Sequence, residues 1–337
     1  MIFRPSVVIL LGLAAVPVRA NAPADRPDRP TVLLVVGAAG EEEYGRAFTQ
    51  WADRWADAAK KGGADLVEVG RDAADPERDK ERLQVALSKA AKEPARPLWL
   101  VMIGHGTHDG REAKFNLRGP DVTDAELAAW LAPCKRPLAV VDCSSASAPF
   151  LKKLSATGRV VITATRSGSE NNFARFGDHL SASIADPGAD LDKDGQTSLL
   201  EAFIAASHGV EEYYKQEARL ATEHALLDDN GDGLGIPADW FQGTRATKSA
   251  KDGAALDGLR AHQWALVMSD AEKALPAEFR AERDKLELEV ENLRAKKAAL
   301  GEARYYAQLE PLLVQLARLY QGQAAAGADR KAEAVAP

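Results

Sequence analysis

The chain has 337 residues, 46% of them hydrophobic, with 43 Lys and Arg against 50 Asp and Glu. That is enough apolar material for one large domain plus an appendage. The net charge of −7 argues against nucleic acid, whose phosphates an acidic surface repels. It suits a protein with cation sites.

The first residues read as an export signal. Arg4 supplies the positive start, Val7 to Val16 an apolar run, and Val18-Arg19-Ala20 a small-residue cleavage pattern. The run is too short for a bilayer span, which takes about 20 apolar residues, and no later stretch qualifies, so no membrane span is expected. Cleavage after residue 20 would remove two arginines and no acid, leaving −9 on an exported, periplasmic or extracellular chain. Residues 21–30 are a Pro/Asp/Arg linker.

Thr31 to Val36 is a β-branched apolar run, hence a buried strand. After the Gly37 to Gly40 turn, Tyr44, Phe48, Trp51, Trp55 and Ala58 recur at helical spacing, a stripe that reads as core. Lys60, Lys61 and two glycines end that helix. Leu66 to Val69 is a second strand. Residues 76–92 form a charged helix, with Leu83, Val85, Ala86 and Leu87 read as inward. Pro97 to Ile103 is a third strand, leading into Gly104-His105-Gly106 and a hairpin around Asp109-Gly110. Thr123 and Glu126 frame a capping box. Leu138 to Asp142 is a fourth strand, Ala148 to Leu154 a helix, and Val160 to Ala164 a fifth strand.

Strands alternating with helices make an α/β fold, a mostly parallel sheet covered on both faces. Chemistry in such folds lies beyond the carboxyl ends of the strands. His105 follows strand three and Cys143 follows strand four, so both fall at one edge. The only two cysteines, Cys134 and Cys143, are separated by a strand whose ~3.3 Å rise per residue carries them past disulfide reach. Cys143 is therefore expected as a free thiol. A nucleophilic Cys needs a base and oxyanion donors. His105 offers the base, and the N–H groups of Gly106 and Cys143 offer the donors. His108 competes with His105 but falls inside the hairpin.

Gly104-His105-Gly106 and Cys143-Ser144-Ser145-Ala146-Ser147 together resemble the caspase–legumain cysteine peptidases, the legumain branch most. That branch carries His-Gly and Cys-x-Ser-Gly-Ser, with Ala146 here in place of its glycine. Gly37-Ala38-Ala39-Gly40-Glu41-Glu42-Glu43-Tyr44 resembles its Gly-x-x-Gly-x-x-x-Tyr turn. The resemblance covers roughly residues 31–220. It implies a caspase-like fold and a cysteine endopeptidase acting on a peptide or protein substrate, with His105 as acid/base and Cys143 as nucleophile. Gly45 stands where the family has Arg, with Arg46 one place later. Glu43 replaces the turn Asn, and Asp142 precedes the nucleophile. Arg46, and Arg166 after strand five, are the candidate pocket residues, suited to a carboxylate or amide side chain. The alternative is a catalytically inactive domain of this fold that binds a partner. A further alternative is a serine hydrolase using Ser145 or Ser147.

Asp190, Asp192, Asp194, Gly195, Ser198 and Glu201 fit the twelve-residue EF-hand loop for Ca²⁺, with Gln196 giving its carbonyl. A second loop opens in the same way with Asp228, Asn230 and Asp232, and Asp239 falls at its twelfth position, although Pro237 interrupts the exit. The domain so defined spans residues 31–243, with calcium loops at 190–201 and 228–239. Residues 244–258 read as a linker and 259–321 as a helical region broken near Gly301. Its seams (Leu286, Val290, Leu293 and Leu300; Leu309, Leu313, Leu316 and Tyr320) suit a helical hairpin or a helical partner. Residues 322–337 read as an unstructured tail.

Overall fold

A computed structural model describes residues 29–335 apart from 73–74, 94–95 and 252–253, with side chains through 323. The export signal read at residues 1–20 and most of the 21–30 linker lie outside the described residues. Among the described residues no helix is long and apolar enough to cross a membrane.

The strands are β1 (Thr31–Val36), β2 (Asp65–Val69), β3 (Leu98–Ile103), a small antiparallel group β4 (Gly106–His108), β5 (Ala113–Phe115) and β6 (Val122–Thr123), then β7 (Leu138–Asp142), β8 (Arg159–Thr163) and β9 (Leu226–Asp228). The main sheet has six strands in the order β2-β1-β3-β7-β8-β9, parallel except for β9. The helices of the domain are α1 (Glu42–Gly62), α2 (Asp79–Ala90), α3 (Asp124–Leu131), α4 (Ala148–Leu154), α5 (Phe176–Ser183) and α6 (Leu199–Gln216). The α/β class read from the sequence is thus the one adopted.

Side-chain alternation along the central strands divides the core in two. Val32, Leu34, Trp99, Val101, Ile103, Ala139 and Val141 face Phe48, Trp51 and Trp55 of α1, Phe176 and Leu180 of α5, and Phe203 of α6. Leu33, Val35, Leu100, Met102 and Val140 face Leu83 and Leu87 of α2, Leu127 of α3 and Phe150 of α4. Each large side chain fully buried in this way contributes roughly 1.5–3 kcal/mol. Val85 is the exception among the residues read as inward. It is 61% exposed, because Leu83, Leu87 and Ala90 already define the buried face of α2 and Val85 lies off it.

Helix ends follow local chemistry. Gly63 adopts φ +69 and closes α1 with its N–H on the Ala59 and Lys60 carbonyls. Thr123 with Glu126, and Ser198 with Glu201, form reciprocal capping boxes on α3 and α6.

Past the sheet, the stretch read as a linker at 244–258 is partly built into the fold. Residues 245–246 pair antiparallel with 241–242, and Asp257 is buried. The helices α7 (Leu259–His262), α8 (Asp270–Ala274), α9 (Ala277–Ala295), α10 (Lys297–Leu300) and α11 (Glu302–Val335) follow. Gly301, at φ +72, makes the break before α11. α9 buries Phe279, Leu286, Val290 and Leu293, and Phe279 meets Tyr320 of α11 ring to ring at 5.3 Å. The backbone of α11 runs to Val335, across the stretch read as an unstructured tail.

Candidate functional site: a masked thiol and two acidic loops

His105 and Cys143 follow the neighbouring parallel strands β3 and β7, whose register sets Met102 against Asp142. The alternation that sends Ile103 and Val141 to the α1 side sends Cys143 there too. The imidazole of His105 lies among aromatic rings on the same side: Tyr44 at 5.0 Å, Phe48 at 5.1 Å and Phe173 at 6.0 Å between centroids. Its Nε2 is 3.1 Å from the Ala39 carbonyl. His108 sits on β4, with Gly168 against its ring.

Cys143 is 1% exposed. The Cα of Gly177 comes so close that a methyl group there would meet the Cys143 Cβ at 2.9 Å and the Trp51 ring at 2.8 Å. Burial pushes the thiol well above its ordinary pKa, and the carboxyl groups of Asp142 and Glu223 push it further. Among the described residues no cation lowers it, whereas reactive thiols owe their low pKa to one or to a helix N-terminus. Both cysteines are free, as their separation along the strand required.

The two amides expected to form an oxyanion hole are engaged elsewhere. The Cys143 N–H donates to the Met102 carbonyl at 2.9 Å, continuing the sheet ladder one residue past β7. The Gly106 N–H donates to Ser145 Oγ at 3.3 Å, and the Ser145 hydroxyl donates back to the Gly106 carbonyl at 3.2 Å. An oxyanion hole needs free donors aimed at the developing charge, and neither of these amides is free here. Ser144 and Ser147 are equally committed: Ser144 Oγ donates to Asp142 Oδ1 at 2.6 Å, and Ser147 Oγ shares a hydrogen with Thr165 Oγ1 at 3.2 Å. Asp142 is wholly buried and its Oδ2 has no partner. Desolvation raises its carboxyl to about 6 despite the Ser144 donors. Ala146 holds φ +54, a left-handed conformation that costs a residue with a Cβ. Its N–H donates to the Glu170 carbonyl at 2.8 Å.

Both arginines read as pocket residues are exposed and paired with carboxylates, and Arg46 lines a cavity with Ala39, whose carbonyl meets His105. Arg46 is 66% exposed on α1 and pairs with Glu42 one turn before it. Arg166 is 60% exposed and pairs with Glu170 at 3.3 Å. Each has found a carboxylate four residues away, which a helix or tight turn supplies at low cost. A second cavity, bounded by Tyr44 and Phe173, whose rings meet that of His105, has a volume of about 350 Å³ and is lined in part by Trp51, Arg175, Tyr213 and Thr222. The Arg175 guanidinium lies 4.1 Å from the centre of the Tyr213 ring and 5.5 Å from that of Phe173. The buried Glu223 fixes this segment by accepting the N–H groups of Arg175 and Phe176 at 2.8 and 2.9 Å. No spacing rule singles out Arg175 or Glu223, because they meet across 48 residues.

In the first acidic loop the three aspartates are brought together. Oxygens of Asp190, Asp192 and Asp194 lie within 4.8 Å of one another. Asp190 accepts the N–H groups of Lys193 and Gly195, Asp192 that of Asp194, and Asp194 that of Gln196. Lys193 and Gly195 take φ +63 and +89 to make the turn. Glu201, from α6, reaches back to the Leu191 N–H at 2.7 Å and caps Ser198 with its other oxygen at 2.8 Å. Three carboxylates held at mutually repelling distance, with a fourth on the helix that follows, are the hard oxygen donors that Ca²⁺ takes. The residues therefore fit the ion. Asp192 Oδ2 also meets His262 Nε2 at 3.3 Å.

The second loop repeats this hydrogen bonding position for position. Asp228 accepts from Gly231 and Gly233, Asn230 from Asp232, and Asp232 from Leu234, all at 2.8–2.9 Å. Asp239 does not close it. Pro237 starts a short 3-10 turn, Ala238–Trp240, which leaves Asp239 exposed. Asp257 braces the loop instead, accepting the Asp229 and Asn230 N–H groups at 2.9 and 3.1 Å.

No protein-family model matches the chain, and no curated protein does. Among solved structures it is similar to the Drosophila initiator caspase Dronc, with 14% identity, 67% of this chain and 93% of that one covered, and a TM-score of 0.42. It is also similar to caspase-1 from Spodoptera frugiperda, with 10% identity, 65% and 94% covered, and a TM-score of 0.40. A third similar structure is protein GSU0716 from Geobacter sulfurreducens, with 14% identity, 59% and 92% covered, and a TM-score of 0.40.

Proposed function

We propose that the chain is an exported, caspase-like, calcium-binding module that holds a peptide or protein partner and keeps its thiol masked. The observation that carries this reading is the state of Cys143: buried, raised in pKa, and with both amides that would serve it donating to other groups. A thiol so placed stays protonated and out of reach of a carbonyl carbon, and the tetrahedral oxyanion has no donor. The partner surface is the cavity beside His105, where aromatic walls and Arg175 suit a carboxylate or amide side chain. The C-terminal helices offer a second surface for a helical partner. Ca²⁺, when bound, neutralises the carboxylates of the first loop and ties that loop to α6 through Glu201. That role is structural, since oxygen-bound Ca²⁺ does not activate a thiol.

One observation favours a second reading, an active His-Cys endopeptidase of legumain type. His105 and Cys143 sit on one face at adjacent strand ends, and Ala146 holds the turn that follows Cys143 in a left-handed conformation. Release of Gly106 by Ser145 would free one oxyanion donor. Labelling the protein with a library of peptidyl electrophiles, with and without Ca²⁺, followed by mass mapping, separates the two. The masked module leaves Cys143 unmodified in both conditions. Modification of Cys143 that disappears in His105→Ala establishes the peptidase and overturns the binding reading.

A further inference from the structure

α11 carries more apolar surface than α9 covers. One side of it packs on α9: Tyr305 is buried, and Leu309, Leu312, Leu316 and Leu319 are half-buried. Beside that packed side runs a second stripe. Tyr306, Leu313 and Tyr320 are 52, 48 and 49% exposed. They stand seven residues apart, and a helix drifts only about 20° in seven residues. The three therefore form one line, about 21 Å long at 1.5 Å per residue. The tyrosines are held in place while half of each stays in water: Lys297 Nζ lies 5.3 Å from the Tyr306 ring, and the Phe279 ring 5.3 Å from that of Tyr320.

Charge is scarce along this stretch. From Tyr305 to Gly322 only Glu310 and Arg318 are charged, in a chain that is 28% charged. The free side of a surface helix is normally polar, so an exposed line of tyrosine and leucine marks a contact face. Little else in this chain is suited to cover it. The backbone of α11 continues as helix to Val335, and so leads away from the stripe. Residues 21–28 hold no apolar side chain larger than proline, and the apolar run before them leaves with the export signal read above. A second copy, by contrast, matches the stripe. It reads Tyr, Leu, Tyr at equal spacing from either end. An α11 laid antiparallel against it, about a two-fold axis at Leu313, sets tyrosine on tyrosine and leucine on leucine, the self-complementarity that an isologous contact needs. Glu310 and Arg318 cancel, so this face does not repel its copy although the whole chain carries −7.

We infer that α11 is a homodimerisation helix, which pairs antiparallel with the α11 of a second copy through Tyr306, Leu313 and Tyr320. The helical partner proposed above is then another molecule of the same chain. The pairing rests on that surface and not on the state of the thiol, which the electrophile labelling tests separately.

The test is sedimentation equilibrium of the mature full chain, with Ca²⁺ and salt held constant, over about 1 µM to 1 mM. The mass should rise with concentration from one chain to two and stop there, because a two-fold contact closes on itself. Leu313→Glu should weaken the dimer at least ten-fold and Tyr306→Ser several-fold. Both side chains are exposed, so both variants should keep the parent's melting temperature. Val85→Glu, which sets the same charge on an exposed site of α2, should leave association unchanged. With Cys134→Ser in the background, oxidation should cross-link Tyr306→Cys chains to Tyr320→Cys chains in a mixture, and not Tyr306→Cys chains to one another. A single-chain mass at every concentration overturns the second copy and returns the surface to an unlike helix. Association that Leu313→Glu and Tyr306→Ser leave intact, that Val85→Glu weakens as much, or that grows past two chains overturns the inference as well.

Discussion

Asp142 gives the site a pH dependence that Asp142→Asn should remove. Its carboxyl is wholly buried beside Cys143, takes two hydrogen bonds from Ser144 on one oxygen, and has none on the other. Desolvation outweighs those bonds and lifts it from 3.8 to about 6. The folded state therefore holds this proton more tightly than the unfolded chain does. Stability from this group is full below pH ~4, falls as the pH rises from there to ~6, and is level above that. The displacement is worth roughly 3 kcal/mol at 1.36 kcal/mol per pH unit. Asn stays neutral and keeps an oxygen for Ser144. Its amide at the unpaired position brings a cost of about 1–3 kcal/mol that does not vary with pH. The assay is urea unfolding of both proteins at pH 4 and pH 7.5, with chelator present throughout so that the calcium loops do not contribute. Other buried acids cancel in the double difference. On going from pH 4 to pH 7.5, Asp142→Asn should gain about 2.4 kcal/mol relative to the parent, the remainder of the displacement falling below pH 4. A variant effect of the same size at both pH values would refute the reasoning and show that the carboxyl is already solvated or paired.

Calcium at about 100 times its dissociation constant should add roughly 2.7 kcal/mol to stability by linkage, read as a rise in melting temperature. Glu201→Gln should abolish most of that rise, whereas Asp239→Asn should leave it intact; a melting curve indifferent to chelator would contradict the first loop. Gly177→Ala should destabilise the fold by roughly 1–3 kcal/mol through overpacking, since its methyl group has no room between Trp51 and Cys143. Chemical denaturation measures it, and a neutral or stabilising result would mean that this wall of the thiol's chamber yields easily.

Much of this was legible in the sequence because it is local. Apolar runs such as Val32 to Val36, the aromatic stripe of α1, and the capping residues Thr123 and Glu126 each decide their own conformation within a few residues. The acidic loops are local too, and even the repeat of their hydrogen bonds from Asp190 to Asp228 follows from side-chain spacing. The placement of His105 and Cys143 at adjacent strand ends came from topology alone. What failed depends on non-local competition. Whether the Cys143 N–H is free depends on whether the ladder to Met102 runs one residue further. Whether the Gly106 N–H is free depends on a serine 39 residues away. Arg46 and Arg166 are a local case: each pairs with a carboxylate four residues away, a contact that the i,i+4 spacing itself offers. Asp257 stood in a stretch with a linker's composition, and only the fold shows it bracing the second loop in the place assigned to Asp239.

The most direct test of a masked thiol is the rate of iodoacetamide alkylation at Cys143 from pH 6 to 10, mapped by mass against the half-buried Cys134 and against the denatured protein. The expected result is alkylation of Cys143 far slower than in denaturant at every pH, unchanged by Ca²⁺ and by His105→Ala. Rapid alkylation at neutral pH that is lost in His105→Ala would show a thiolate activated by that imidazole, and the chain would then be a cysteine peptidase.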